Sequence, residues 1–422
     1  MLRPVLVVAL ALTLFVNAFP VVILDLGGRP EFFYRLLIFP GDIGLVVIVL
    51  AVIPLLGMRR VRVEPATALL GILAVLLVIA WAFHPSPQGA MIVLRCIGAT
   101  AVACAVSSLE PHERIVVIGT LAAAALMQEA IAIAQIANRM PLGIPSFGEV
   151  ANPFLVYGGT PAPRGTMHGQ YLLGGLALMT SMLVAREALE RRRSVLAVLA
   201  GIVAVPVGFT FGRAMLGAVL LSTTVLAVGD RRERRLLLTT AGSIAGAVLL
   251  TVALTFPGWT DRLTYTIANG RDVLFEEARA MIASSPLVGV GPGRSIELLR
   301  EMFPGRPDSE YQPAHAMPVL AAVEGGLAAG GVVLVMLGVL GWRTRRDVRA
   351  AALLLAYLPA VLTDQYALDF AQGLVMLGLW VGALDGLAAR PVAAVPFDRA
   401  ITARINRTIA SWRTTTPKRI SP

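Results

Sequence analysis

Apolar runs close to 20 residues long recur from one end of this chain to the other, and their length constrains the fold more than any other feature. A helix rises about 1.5 Å per residue, so it needs roughly 20 residues to cross a hydrocarbon core about 30 Å thick. Twelve such segments stand out, at 5–24, 36–57, 66–83, 90–108, 115–136, 168–185, 195–211, 214–229, 236–256, 316–342, 350–363 and 370–387. In lipid, backbone N–H and C=O groups must pair within their own segment or around a closed barrel. Runs of this length suit the first solution, so the expected fold class is an all-α integral membrane protein with about 12 transmembrane helices. With 57% hydrophobic and 15% charged residues, little polar material is left for a separate soluble domain. The chain divides into a polytopic membrane domain, 1–389, and a basic tail, 390–422.

A formal charge of +10 raises the question of nucleic acid. The arginines answer it, because they gather at span ends instead of alternating with aromatics on a soluble face. If the amino terminus is cytoplasmic, RRVR at 59–62, ERRRS at 190–194, RRERR at 231–235, RTRRDVR at 343–349 and the arginine-rich tail all fall on the cytoplasmic side. The positive-inside rule favours that orientation. Both termini are then cytoplasmic, the tail lies near anionic lipid, and no nucleic-acid partner is expected. The run from Val5 to Leu24 is too long for a signal-peptide core and lacks a small-residue cleavage site, so it counts as the first span. Cys96 and Cys104 share one apolar run, which excludes a disulfide framework and reads as two small core side chains.

Two connections on the outer side are long, 137–167 and 257–315. In the second, DVLFEEARAMIA at 272–283 spaces Leu274, Phe275, Ala278, Met281 and Ile282 as one helical apolar face. Glu276 and Glu277 stand in its first turns, where the helix dipole favours carboxylates, and Ser284-Ser285-Pro286 ends it. PLVGVGPGR, 286–294, reads as a hinge into a second short helix at 295–303. Both helices are expected along the outer face of the bundle. Segments 195–211 and 214–229 are expected to form a hairpin tipped by Gly212 and Arg213. At about 24 to 26 Å each they are short for a bilayer, which leaves Arg213 partly submerged.

Of the four histidines, His112 falls in a cytoplasmic turn, and His84, His168 and His315 fall outside. His315 closes the long connection beside Tyr311 and could present a neutral imidazole as a general base, or be an interfacial histidine without chemistry. Arg164, Arg213 and Arg271 stand in outer connections or at the hairpin tip. Guanidinium groups converging on one pocket suit a diphosphate, each fork binding phosphate oxygens at permanent charge. Within spans, Asp42, Arg95, Glu129 and Glu324 fall, by helical rise, about 8 to 13 Å from the outer end. They line a polar cavity open to the outside, or form ion pairs such as Arg95 with Asp42 or Glu129. No Walker loop, HExxH, CxxC or outer DxD is present, so no metal or other cofactor is expected.

Three stretches, in this order, carry a resemblance: FTFGRAMLGAVLL, GRDVLFEEARAMIASSPLVGVGPG and HAMPVLAAVEGGLAAGG. Together they resemble the O-antigen ligase and O-antigen polymerase superfamily of bacterial membrane proteins, over residues 160–340. The resemblance implies a GT-C-like fold and a metal-independent glycosyltransferase. Such an enzyme moves a glycan from a polyprenyl diphosphate carrier to a hydroxyl acceptor, on a glycan or lipid, at the outer face of the bacterial inner membrane. By matching position it implies that Arg213, Arg271 and Arg164 hold the diphosphate and that His315 is the essential histidine. Gly212 and Ala316 depart from the serine and asparagine often found there. The rival class is a lipid-linked oligosaccharide flippase or transporter, which would show inverted repeats and interrupted helices at the midplane. Polar residues clustered near one face argue for surface chemistry instead.

Overall fold

The structure, a computed structural model, describes residues 2–14, 21–25, 35–38, 40–58, 61, 63–144, 149, 156–157, 159–167, 169–229, 234–264, 271–306, 311–364, 366–369 and 371–388. In chain order its elements are α1 (Leu2–Leu14), β1 (Val21–Asp25), β2 (Arg35–Ile38), α2 (Pro40–Gly57), α3 (Pro65–Phe83), α4 (Pro87–Ser108) and α5 (Pro111–Asn138). There follow β3 (Val156–Tyr157), β4 (Thr160–Pro161), α6 (Gln170–Arg191), α7 (Ser194–Ala204), α8 (Pro206–Phe209), α9 (Arg213–Ala227), α10 (Arg234–Leu254) and α11 (Phe256–Thr264). The last are α12 (Arg271–Ser284), α13 (Ser295–Met302), α14 (Met317–Thr344), α15 (Val348–Thr363), α16 (Tyr366–Asp369) and α17 (Ala371–Ala388). The basic tail from 390 lies outside the described residues, as do His168 and most of the RRVR and RRERR clusters.

Seven helices, α2, α3, α4, α5, α6, α10 and α14, are long and apolar enough to cross a membrane. Shorter apolar helices cover Arg3–Leu14, Ser194–Phe209, Arg213–Ala227, Val348–Thr363 and Ala371–Leu387, where the remaining spans are expected. The chain is thus an all-α protein of multi-pass membrane type. Its strands among the described residues form two small antiparallel hairpins, β1 with β2 and β3 with β4.

The expected span 5–24 is not one helix, because Val21–Asp25 is strand. Pro20 precedes that strand. A proline inside a helix removes a hydrogen bond and clashes with the turn before it, whereas the β-branched Val21, Val22 and Ile23 suit a strand. The span expected from 36 begins instead at Pro40, because Arg35–Ile38 pairs with β1. Proline is favoured at the first helical position and disfavours helix in the residue before it.

Small residues set a close contact between α4 and α17. Gly378, Gly382 and Gly386 of α17 face Ala99, Ala103 and Ser107 of α4, and a Cβ at Gly382 would stand 2.8 Å from the Ala103 Cα. Lipid tails give apolar side chains no drive to associate, so membrane helices gain from backbones brought this close. The matched order of the pairs makes α4 and α17 parallel. Near the end of α17, Asp385 accepts hydrogen bonds from the Thr67 N–H at 2.7 Å and its Oγ1 at 2.9 Å. Arg343 lies 3.6 Å from Asp385 and donates to Glu64 at 3.0 Å. The start of α3 and the ends of α4, α14 and α17 therefore share one end of the bundle, the basic end, where RTRRDVR follows. The end of α3 and the start of α4 lie at the opposite end.

α14 is broken. At Gly326 (φ 81°, ψ 170°) the helix turns, and the stretch from Leu327 to Thr344 continues alone for about 27 Å. A Cβ at Gly330 would lie 2.7 Å from the Pro318 carbonyl and 2.8 Å from the Ala322 Cβ. A straight helix would hold those residues about 12 to 18 Å apart, so the piece Met317–Gly325 folds back on the longer one. PLVGVGPGR fills the break with its own backbone. The Val290 and Gly291 N–H groups donate to the Val323 and Glu324 carbonyls at 2.8 and 3.1 Å, and the Leu327 N–H donates to the Pro286 carbonyl at 2.9 Å. An interrupted helix loses its own partners, and at membrane depth other protein groups must replace them. α12, α13 and the short piece of α14 close over the wedge through a small core of Ala278, Met281, Val290, Ile296, Leu299 and Val323. On α12, Ala278 and Met281 are buried as the spacing implies, while Phe275 is exposed.

Candidate functional site

Strain and aromatic packing build the hairpin tip. After α8 the chain passes through Phe211 in the left-handed region, φ 52°, a conformation that costs a bulky residue on the order of 1 to 3 kcal/mol. The ring holds it there. Phe211 is buried, with its ring centroid 5.3 Å from that of Tyr157 and 5.6 Å from that of Trp259. Trp259 donates Nε1–H to the Gly208 carbonyl at 2.6 Å, and Ala162, just past β4, completes the cluster. Arg213 follows two residues later as the first residue of α9, half-buried, its guanidinium without a polar partner among the described residues.

A second guanidinium comes to the same place. Arg262 of α11 is 7% exposed, donates Nη2–H to the Tyr171 hydroxyl at 3.0 Å, and lies over the Tyr157 ring at 5.2 Å. Tyr171 reaches Gly212, where a Cβ would sit 3.3 Å from its ring. The sequence reading treats 257–271 as connection and so misses α11, although Trp259 and Arg262 stand three apart on one buried face, flanked by the exposed Phe256 and Leu263.

The backbone of Arg164, two residues past Ala162 of this cluster, is anchored by two glutamines of α5. The Gln135 Oε1 accepts the Arg164 and Gly165 N–H groups at 3.2 and 2.9 Å, and its Nε2 donates to the Gly165 carbonyl at 2.9 Å. The Gln128 Oε1 accepts the Thr166 N–H at 2.8 Å, while its Nε2 donates to the Thr166 Oγ1 at 2.7 Å and the Leu14 carbonyl at 2.8 Å. Both buried amides are satisfied, which fixes residues 164–166 on α5 just before α6 begins. Polar side chains two turns apart in an apolar run are the sequence signal for this anchor. Arg271 opens α12, and its side chain lies outside the described residues.

His315 leads into the folded-back piece of α14. Its Nδ1 is 3.0 Å from the Pro313 carbonyl. A carbonyl only accepts, so Nδ1 carries the proton of the neutral ring and Nε2 is left as its basic nitrogen. Glu324 stands just before the break, 1% exposed. Its Oε1 accepts from the Ser295 Oγ at 3.1 Å, and its Oε2 has no hydrogen-bond partner among the described residues. Because α14 turns at Gly326, the position of Glu324 follows from the break and not from a rise counted along one helix.

Among the other span residues, Arg95 and Asp42 form a buried bidentate pair, Nε to Oδ1 at 2.8 Å and Nη2 to Oδ2 at 2.9 Å. Glu129 is also buried, and its Oε2 has no hydrogen-bond partner among the described residues. The arginine cluster lies at the same end of the bundle as the wedge and His315. Gly175, near the start of α6, meets Met376, near the start of α17, and α17 runs toward the basic end. Partly desolvated guanidiniums beside the first turns of α6 and α9 can hold an anion, and an imidazole at the same end can take a proton. No known protein-family model matches the chain, and no curated protein matches it.

Proposed function

We propose that this chain is a membrane glycosyltransferase of the O-antigen ligase or polymerase type, working at the outer face of a bacterial inner membrane with both termini cytoplasmic. The observation that carries the reading is the meeting of Arg213 and Arg262 at the hairpin tip, with the backbone of Arg164 anchored two residues past Ala162 of the same aromatic cluster. There the half-buried Arg213 lacks a polar partner among the described residues, and a left-handed Phe211 precedes it. A charge so placed is costly without an anion, and a lipid-linked diphosphate supplies one at that depth. Twelve spans and a GT-C-like arrangement belong to the same proposal, with the five shorter helices as spans.

In this mechanism the acceptor hydroxyl attacks the anomeric carbon as the bond from that carbon to the diphosphate oxygen breaks. His315 takes the hydroxyl proton on Nε2, and the departing polyprenyl diphosphate keeps the bonding pair. Arg213, Arg271 and Arg164 offset the charge gathering on the diphosphate. A single displacement inverts the anomeric centre. Proteoliposomes holding the full chain, a polyprenyl-diphosphate glycan and an envelope acceptor test this. His315→Ala is expected to transfer glycan at least about a hundredfold more slowly, the usual scale of general-base catalysis, while still binding donor. Transfer at the wild-type rate would remove His315 from the chemistry.

The transporter reading has one observation in its favour, the interruption of α14. That break lies at the outer end of the long piece and is closed by the backbone of 286–294. Donor crossing the bilayer in the same proteoliposomes, with no new glycosidic bond formed, would decide for transport.

A further inference from the structure

Gln170 opens α6, a helix whose apolar stretch is buried throughout. Only 4% of its surface is exposed, and neither Nε2 nor Oε1 has a hydrogen-bond partner among the described residues. Gln128 and Gln135 show what this side chain does here when it anchors backbone, with oxygen and nitrogen both bonded. Gln170 differs from both.

Its place in the fold says where a partner would stand. One turn on along the same face of α6, a Cβ at Gly174 would lie 3.1 Å from the Thr210 Oγ1 and 3.4 Å from the Met215 Cγ. That face meets the hairpin tip, so Gln170 lies one turn nearer the opening of α9 at Arg213. The next residue, Tyr171, meets Gly212 and accepts the hydrogen bond of Arg262.

A diphosphate alone does not satisfy this amide. Its oxygens accept at neutral pH and do not donate, so they could meet Nε2 and would leave Oε1 bare, while the guanidiniums already serve them better. Oε1 needs a donor. A hydroxyl or acylamino group of a sugar both donates and accepts, which matches the two ends of the amide. We propose that Gln170 reads the sugar attached directly to the diphosphate, through a hydroxyl or acylamino group, and so sets which glycan donor the site accepts. This rests on the proposed function, since a sugar stands beside a diphosphate only there.

Binding to the full chain in lipid nanodiscs tests the assignment with two probes, a polyprenyl diphosphate without sugar and the same carrier bearing one N-acetylhexosamine. Wild type is expected to bind the sugar-bearing probe more tightly. Gln170→Met, close in volume, weakens that probe about tenfold and leaves the sugar-free probe within about twofold. Arg213→Ala weakens both. Thermal unfolding without ligand supplies a readout that a structural role would move the other way. Gln170→Met removes two unpaired polar atoms, so the variant melts at or above the wild-type temperature. Equal loss of both probes, no loss of either, or a lowered melting temperature overturns the role of Gln170 and leaves glycosyl transfer standing. A wild-type chain that binds neither probe overturns glycosyl transfer and this inference together.

Discussion

Asp42 and Arg95, 53 residues apart in sequence, use two N–H···O bonds to keep their charges inside the bundle. Removing one partner of a buried pair leaves the other charge uncompensated, typically costing about 3–5 kcal/mol, whereas replacing both is often near neutral. Asp42→Asn is therefore expected to destabilise the protein by about 3 kcal/mol, and adding Arg95→Met to recover most of that. Thermal unfolding in detergent across the four corners of the cycle measures the coupling. A double variant no more stable than Asp42→Asn would mean that Arg95 serves something other than this pair. The pair is legible in the sequence because both residues fall at similar depth from one end. Gln170 is not, since a glutamine at the start of an apolar helix is ordinary until the hairpin tip packs on it. Nor is the strain at Phe211, which exists only because Tyr157 and Trp259, from two separate connections, enclose its ring.

At the level of elements, the wedge of 286–294 in the break of α14 is where sequence and structure part most. The glycines announce a turn, and the helices on either side, α12 and α13, are readable from their spacing and caps. What is hidden is Gly325-Gly326. Hydropathy averages composition over a window, and glycine is common in membrane helices, so the apolar run 316–342 reads as one span. Only the positive φ of Gly326, with the 286–288 backbone packed against it, marks a break. Gly289 (φ 71°) is as tightly placed, since a Cβ there would lie 2.5 Å from the Glu324 carbonyl oxygen. Gly289→Ala and Gly326→Ala must each bear a conformational cost of about 1–3 kcal/mol and also push the wedge out of the break. Gly305→Ala is the control, because its φ is 93° yet nothing lies within 4 Å of the added methyl. Both wedge variants are expected to insert in the membrane and to lose melting temperature and glycan transfer well beyond the control. Variants that match Gly305→Ala would reduce the wedge to a loop of no consequence.

On the scale of the whole molecule, the two ends of the bundle differ in character, and that difference carries the functional reading. One end gathers Glu64, Arg343 and Asp385 with the arginine-rich connections. The other holds the wedge, α13, His315, the meeting of Arg213 and Arg262, and the anchored backbone of Arg164. The all-α, multi-pass character was legible from apolar length, but the first span was not, because Pro20 and a run of β-branched residues make Val21–Asp25 a strand within what composition reads as one segment. Orientation depends on which end faces the cytoplasm. Glu301 is exposed on α13, and Arg346 is exposed just past α14, whose longer piece separates them by about 27 Å. The native Cys96 and Cys104 are buried and should stay silent to a membrane-impermeant maleimide, so each site can be tested by one added cysteine. In spheroplasts, Glu301→Cys is expected to label at once and Arg346→Cys only after the membrane is opened. Labelling of Arg346→Cys alone would put the arginine cluster and His315 in the cytoplasm, away from any lipid-linked glycan on the outer leaflet, and the orientation and proposed function would fail together. Labelling of both in sealed spheroplasts would mean that the longer piece of α14 does not cross the bilayer, which would undo the reading of the two ends as two sides.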